Sequence, residues 1–84
     1  MHTKLFPAAD LAEQIGQRVL KERERLGLRQ AELALAAGVS TRVVHQIEHG
    51  KATSRLDSLV PVLDVLGLAL HVRKAPSPVG AGRR

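Results

Sequence analysis

Apolar positions recur every three or four residues through most of the chain, and the period changes only near its end. In "DLAEQIGQRVLKERERLG", residues 10–27, Leu11, Ile15, Val19 and Leu26 form one stripe among Arg and Glu. This spacing predicts a first helix. Asp10 is a good N-cap, Glu13 follows three residues later as in a capping box, and Gly27 is a suitable C-terminal stop. "RQAELALAAG" predicts a short second helix over 29–37, with Leu33, Ala34 and Ala37 on its apolar face and Gly38 closing it. "VSTRVVHQIEHG" predicts a third over 41–49, capped by Ser40, with Val44 and Ile47 inward, Val39 just ahead and Gly50 at the stop. "SRLDSLVPVLDVLG" predicts a fourth, capped by Ser54, with Leu56, Leu59, Val60, Leu63 and Leu66 at helical spacing. Pro61 lies inside it and is expected to kink or loosen it.

The period then shortens. In "LALHVR", Leu68, Leu70 and Val72 alternate with Ala69, His71 and Arg73, which is strand spacing. The final "APSPVGAGRR" has Pro, Gly and Ser without apolar periodicity and is expected to be a flexible tail. The reading therefore divides the chain into a lead-in (1–9), a helical domain (10–67), a strand (68–74) and a tail (75–84). A lone strand has unpaired backbone groups on both edges, so pairing with its own copy is expected, through Leu68, Leu70, His71 and Val72.

Composition sharpens this picture in two ways. The 84 residues hold no cysteine, tryptophan or tyrosine and a single phenylalanine, Phe6. The core must then be Leu, Val, Ile and Ala, without a disulfide, and dimerisation is a natural remedy for so small a core. The formal net charge is +5. Residues 10–27 are balanced, whereas 28–55 carry Arg29, Arg42, Lys51 and Arg55 against Glu32 and Glu48. Lys74, Arg83 and Arg84 add charge near the end without an acid. A basic middle and tail suggest an anionic partner. "MHTKLFPAAD" lacks the apolar run of a signal peptide, and no run of about eighteen apolar residues exists to span a membrane. The absence of cysteine fits a reducing compartment.

Two chemistries compete for "HQIEHG", residues 45–50. Its first five letters spell H-x-x-E-H, the signature of an inverted zincin, and His45 and His49 share a helix face. A small zinc-dependent hydrolase using His45, Glu48 and His49 is thus one reading. Against it, the chain is short for a peptidase cleft and offers no obvious third ligand, so no metal, cofactor or catalytic residue is expected. The other reading takes in the preceding residues. Two short helices joined by Gly38-Val39-Ser40 make a helix-turn-helix plan, with Val39 able to plug the corner and Ala34 small enough to let the next helix approach.

"LRQAELALAAGVSTRVVHQIEHGK", residues 28–51, resembles the Xre/Cro-type helix-turn-helix of phage repressors, with Gln30, Leu33, Ala34, Gly38, Val39, Ser40, Glu48, Gly50 and Lys51 in register. Arg29 departs from the pattern, replacing the usual Thr or Ser cap. Leu35 and Ala36 fall where polar residues are usual. The resemblance implies a mainly α, four-helix DNA-binding domain that acts on double-stranded operator DNA as a bacterial, cytoplasmic, nucleoid-associated repressor. A recognition helix presents its N-terminal residues to base edges, so Thr41, Arg42, His45 and Gln46 are the expected base contacts. Gln30 looks like the family's phosphate-binding glutamine, and Ser40, Lys51, Arg29 and Arg55 are further phosphate candidates. The resemblance also pairs Glu48 with Arg23 as a structural ion pair. The helix-then-strand layout of residues 56–74 is similar to the HipB-type antitoxins. That likeness implies a homodimer which also binds and neutralises a HipA-type kinase toxin and represses its own operon; a stand-alone regulator without a toxin is the alternative.

Overall fold

The computed structural model describes residues 7–74, so the tail, Phe6 and most of the lead-in lie outside the described residues. Four helices follow in order: α1 (Ala8–Arg25), α2 (Gln30–Ala37), α3 (Thr41–Glu48) and α4 (Leu56–Val65). α3 packs against α1 and α2, and α4 packs against α2 and, less extensively, α3. The core between them is aliphatic: Val19, Leu33, Val44 and Val62 are fully buried, with Ala34, Ile47, Leu59, Leu63 and Leu66 nearly so.

The helix ends show how the sequence places these elements. Each helix is followed by a glycine at positive φ, and the N–H of the next residue reaches back to the carbonyl five residues earlier: Leu28 to Arg23, Val39 to Ala34, Lys51 to Gln46 and Leu68 to Leu63. This is the Schellman closure. Leu28, Val39 and Leu68 then pack against the core, and Val39 does so at the corner between α2 and α3. Gly38, at φ 73°, sets that corner, where a Cβ would be strained.

The starts differ from expectation at three places. α1 begins at Ala8 with Pro7 in the N-cap position, two residues before Asp10. Pro7 has φ fixed near the value required and its carbonyl accepts the Asp10 and Leu11 N–H groups, so Asp10 lies inside the first turn as a favourable acid and not as the cap. At α2, Arg29 has no acceptor to offer the helix, but Glu32 reaches back to the Arg29 N–H at 2.8 Å. Half of a capping box therefore forms without Ser or Thr. At α4 the N-cap position is Arg55; the Ser54 hydroxyl instead donates to the Lys51 carbonyl at 2.8 Å, bracing the loop. The Ser40 cap on α3 is as expected, its Oγ accepting from the Val43 N–H at 3.2 Å.

Burial corrects the two longer stripes. Leu11 and Leu26 are exposed, and so are Leu56 and Val60, while Gly16 and Val62 turn inward. Gly16 is buried because α1 crosses the end of α3 there: a Cβ would press into the carbonyl oxygens of Ile47 and Glu48. α4 continues through Pro61, whose missing N–H leaves the Asp57 carbonyl without its helical donor at an exposed position. Among the described residues there is no strand, and residues 68–74 have no ladder partner there. Leu68 packs on the core, but Leu70 and Val72 stand in solvent alongside Ala69, His71 and Arg73, so the predicted alternation is not expressed as burial in one copy.

Candidate nucleic-acid interface

α3 is divided lengthwise. Val44, Ile47 and Glu48 are buried, while Thr41, Arg42 and His45 are exposed and Gln46 is half-buried at the margin. The division follows from the 3.6-residue period, which brings 44, 47 and 48 to one side. The Thr41 and Arg42 N–H groups sit in the first turn, where no preceding carbonyl of the helix can reach them. With the Ser40 hydroxyl hydrogen beside them, the start of α3 presents donors and a partial positive charge to solvent.

Beside this face runs a cleft between α3 and the start of α4, lined by Gln46, Lys51, Thr53, Ser54, Arg55 and Ser58. It brings one expected base contact, Gln46, together with two expected phosphate contacts, Lys51 and Arg55. The hydroxyl residues Thr53 and Ser58 have no role in the sequence reading, and Ser54 has one only as a helix cap; their crowding around Arg55 in "ATSRLDS" is the available signal. Arg55 is not a free cation. Its Nε and Nη2 donate to the two carboxylate oxygens of Asp57 at 2.9 and 2.7 Å. That pairing holds the Asp57 carboxyl below its ordinary range and raises the Arg55 guanidinium above its own. Lys51 and Arg29 are exposed.

Gln30 is also engaged. Its Nε2 donates to Glu48 Oε1 at 2.9 Å. Glu48 receives two further bonds, from Arg23 Nε to Oε2 at 2.6 Å and from Arg23 Nη2 to Oε1 at 3.1 Å. The third guanidinium nitrogen, Arg23 Nη1, donates to the Leu28 carbonyl at 2.8 Å. The expected Arg23–Glu48 pair is therefore the centre of a network joining α1, α2 and α3, and it holds Arg23 above the ordinary guanidinium range chiefly through the hydrogen bonding that the guanidinium donates to Glu48.

This network separates the letters of H-x-x-E-H. The Glu48 side chain is 2% exposed and saturated by Arg23 and Gln30 in the interior. His45 and His49 lie on the outside, with ring centroids 4.0 Å apart and His49 Nδ1 donating to the His45 carbonyl at 2.8 Å. A carboxylate turned inward and two imidazoles turned outward do not converge on one point, as a zincin site requires.

A family model for the helix-turn-helix matches residues 19–72, which takes in α2, α3, the turn between them and all of α4. The chain belongs to the helix-turn-helix family. It is also 38% identical over 58 residues to a protein of Sinorhizobium fredii named as the uncharacterized HTH-type transcriptional regulator y4mF, an alignment covering 69% of this chain and 76% of the relative.

Proposed function

We propose that this protein is a sequence-specific DNA-binding transcriptional regulator that acts as a homodimer. The observation that carries the reading is the divided α3: its core side fixes it in the helix-turn-helix, and its outer side offers Thr41, Arg42, His45 and Gln46 next to the Lys51–Arg55 cleft. In this reading α3 enters the major groove, Arg42 pairs with guanine O6/N7 and Gln46 with adenine, while Lys51, Arg29, Ser40, Gln30 and Arg55 hold the backbone. The named relative, a transcriptional regulator, supports the same class.

The dimer has its own support. Leu11, Leu56 and Leu70 are exposed and border one apolar groove floored by Ile15 and Leu59, with Val72 exposed further along the same terminal segment. Pairing of residues 68–73 across a two-fold axis would satisfy a strand edge and cover apolar surface together. Repression is then steric occlusion of a promoter. The more specific duty of an antitoxin that neutralises a HipA-type kinase rests on the likeness of residues 56–74 to HipB-type chains.

The test is binding to a duplex selected from a random pool, and to its point-substituted variants, at fixed salt. Arg42→Ala should weaken the selected duplex by about 1–3 kcal/mol and relax preference at one base pair per half-site. Lys51→Ala should weaken all duplexes alike and lower the salt slope by about one unit. His45→Ala should change preference while leaving stability nearly unchanged. Recovery of no preferred sequence by the wild-type protein would refute the reading.

A further inference from the structure

Glu48 is buried at the far end of α3, away from the open face, yet one of its oxygens bonds a residue of the proposed interface. Gln30 is the first residue of α2 and half-buried, with one side facing solvent. A carboxylate can only accept, so the Gln30 amide must turn its nitrogen, not its oxygen, toward Glu48. The 2.9 Å bond thus fixes the amide flip as well as the side-chain torsions. One Nε2–H is consumed. The second Nε2–H is left pointing away from Glu48, at the start of α2, where the first main-chain N–H groups also lack intrahelical acceptors.

We infer that Glu48 is a positioning residue for DNA binding: it orients the Gln30 amide so that its second N–H meets a backbone phosphate. This deepens the nucleic-acid reading and rests on it. The direction of that N–H is rigid because Glu48 itself is held by two bonds from Arg23 on α1. An unanchored glutamine would have to freeze its torsions and choose its flip on binding; here both are set in the free protein, which is preorganisation. The charge also matters. Glu48 compensates Arg23 in the interior, so the donor shown to phosphate belongs to a neutral amide. Its loss removes a hydrogen bond but no counterion-releasing charge, and the salt dependence of binding should not change.

The experiment compares wild type, Gln30→Met, Glu48→Gln and the double variant on a fluorescently labelled mixed-sequence duplex across a salt series. Gln30→Met keeps the shape and removes both N–H groups. In Glu48→Gln the replacing amide has one acceptor oxygen rather than two, and Arg23 competes for it. We expect each single variant to weaken binding roughly ten-fold, as loss of a hydrogen bond to a charged group implies, with an unchanged salt slope. The double variant should bind no more weakly than the weaker single, because Glu48 acts through Gln30. Losses that multiply in the double variant, or a Gln30→Met protein that binds like wild type, overturn the positioning role. Should Glu48→Gln fail to fold, side-chain amide NMR of the wild type decides. One Nε2 proton of Gln30 should keep its shift and its coupling to the Glu48 carboxyl carbon when duplex is added, while the other moves; equal movement of both overturns the inference. A wild-type protein that binds no duplex at all overturns the nucleic-acid reading itself, which the first titration reveals before any variant is compared.

Discussion

Arg23 holds both oxygens of the Glu48 carboxylate from one guanidinium, with Nε and Nη2 at 2.6 and 3.1 Å. The two side chains are 12% and 2% exposed, so neither has free access to water. Such a pair adds little net stability over apolar residues of the same size, but removing one partner strands the other. Glu48→Ala should therefore destabilise the fold by about 3–5 kcal/mol, and Arg23→Met with Glu48→Leu should recover much of that loss. Urea melts of wild type, Arg23→Met, Glu48→Leu and the double variant give the coupling directly; additive losses would sink the argument.

Gly16 makes a separate demand. Any Cβ there meets the last carbonyls of α3, one of them at 2.9 Å. Backbone oxygens cannot step aside as a side chain can, so Gly16→Ala should cost about 1–3 kcal/mol as overpacking does, despite alanine's higher helix propensity. Thermal melts should show a lowered midpoint. An unchanged or raised midpoint would mean that α1 does not seat against α3 this closely.

Asp57 restrains the charge of Arg55 at the edge of the cleft. Asp57→Asn should release the guanidinium, tighten binding to mixed-sequence DNA and steepen its salt dependence by up to about one unit. If affinity and slope stay the same, Arg55 is not a phosphate contact.

Acid sensitivity follows from two surface carboxylates. Glu22, bonded to Arg25 and then Arg18, and Asp57, bonded to Arg55, both lie below their ordinary values of 4.5 and 3.8 in the folded chain. The unfolded chain then binds protons first as pH falls. The stabilisation is complete above those ordinary values and is lost as pH drops through the lower folded ones. Urea midpoints should decline over that window, modestly because both pairs are exposed to salt and water. Glu22→Gln with Asp57→Asn should make the decline shallower at low salt; an identical decline would refute the assignment.

Truncation after Gly67 tests the proposed interface between copies. Loss of residues 68–84 should give monomers by sedimentation and a steep loss of affinity for a two-half-site duplex. A dimer that survives truncation places the contact elsewhere.

The helices, the corner at Gly38 and the Ser40 cap were legible in the sequence because each depends on local periodicity or on a residue with one strong backbone preference. The Arg23–Glu48 pair was legible through the family resemblance. What escaped were features set by the approach of one element to another. Hydropathy reads Gly16 as a neutral gap in a stripe, so the apparent stripe runs through Leu11 and Leu26, which face solvent. Val62 is buried where Leu56 and Val60 are exposed, and α4 is apolar on several sides, so periodicity alone does not choose the buried one. The Gln30–Glu48 bond was invisible to charge pairing, since glutamine carries no charge. Residues 68–73 have the alternation of a strand, but a strand is a relation between two segments, and the alternation alone names no partner.

The lengthwise division of α3 has a consequence for how such a protein changes over generations. Its foldedness depends on Val44, Ile47 and Glu48; the chemistry proposed for its outer face depends on Thr41, Arg42 and His45. The two sets share a helix of eight residues and no position. Gene copies can therefore diverge in what their exposed residues recognise while inheriting one interior unchanged, and most of the intermediates along the way remain folded.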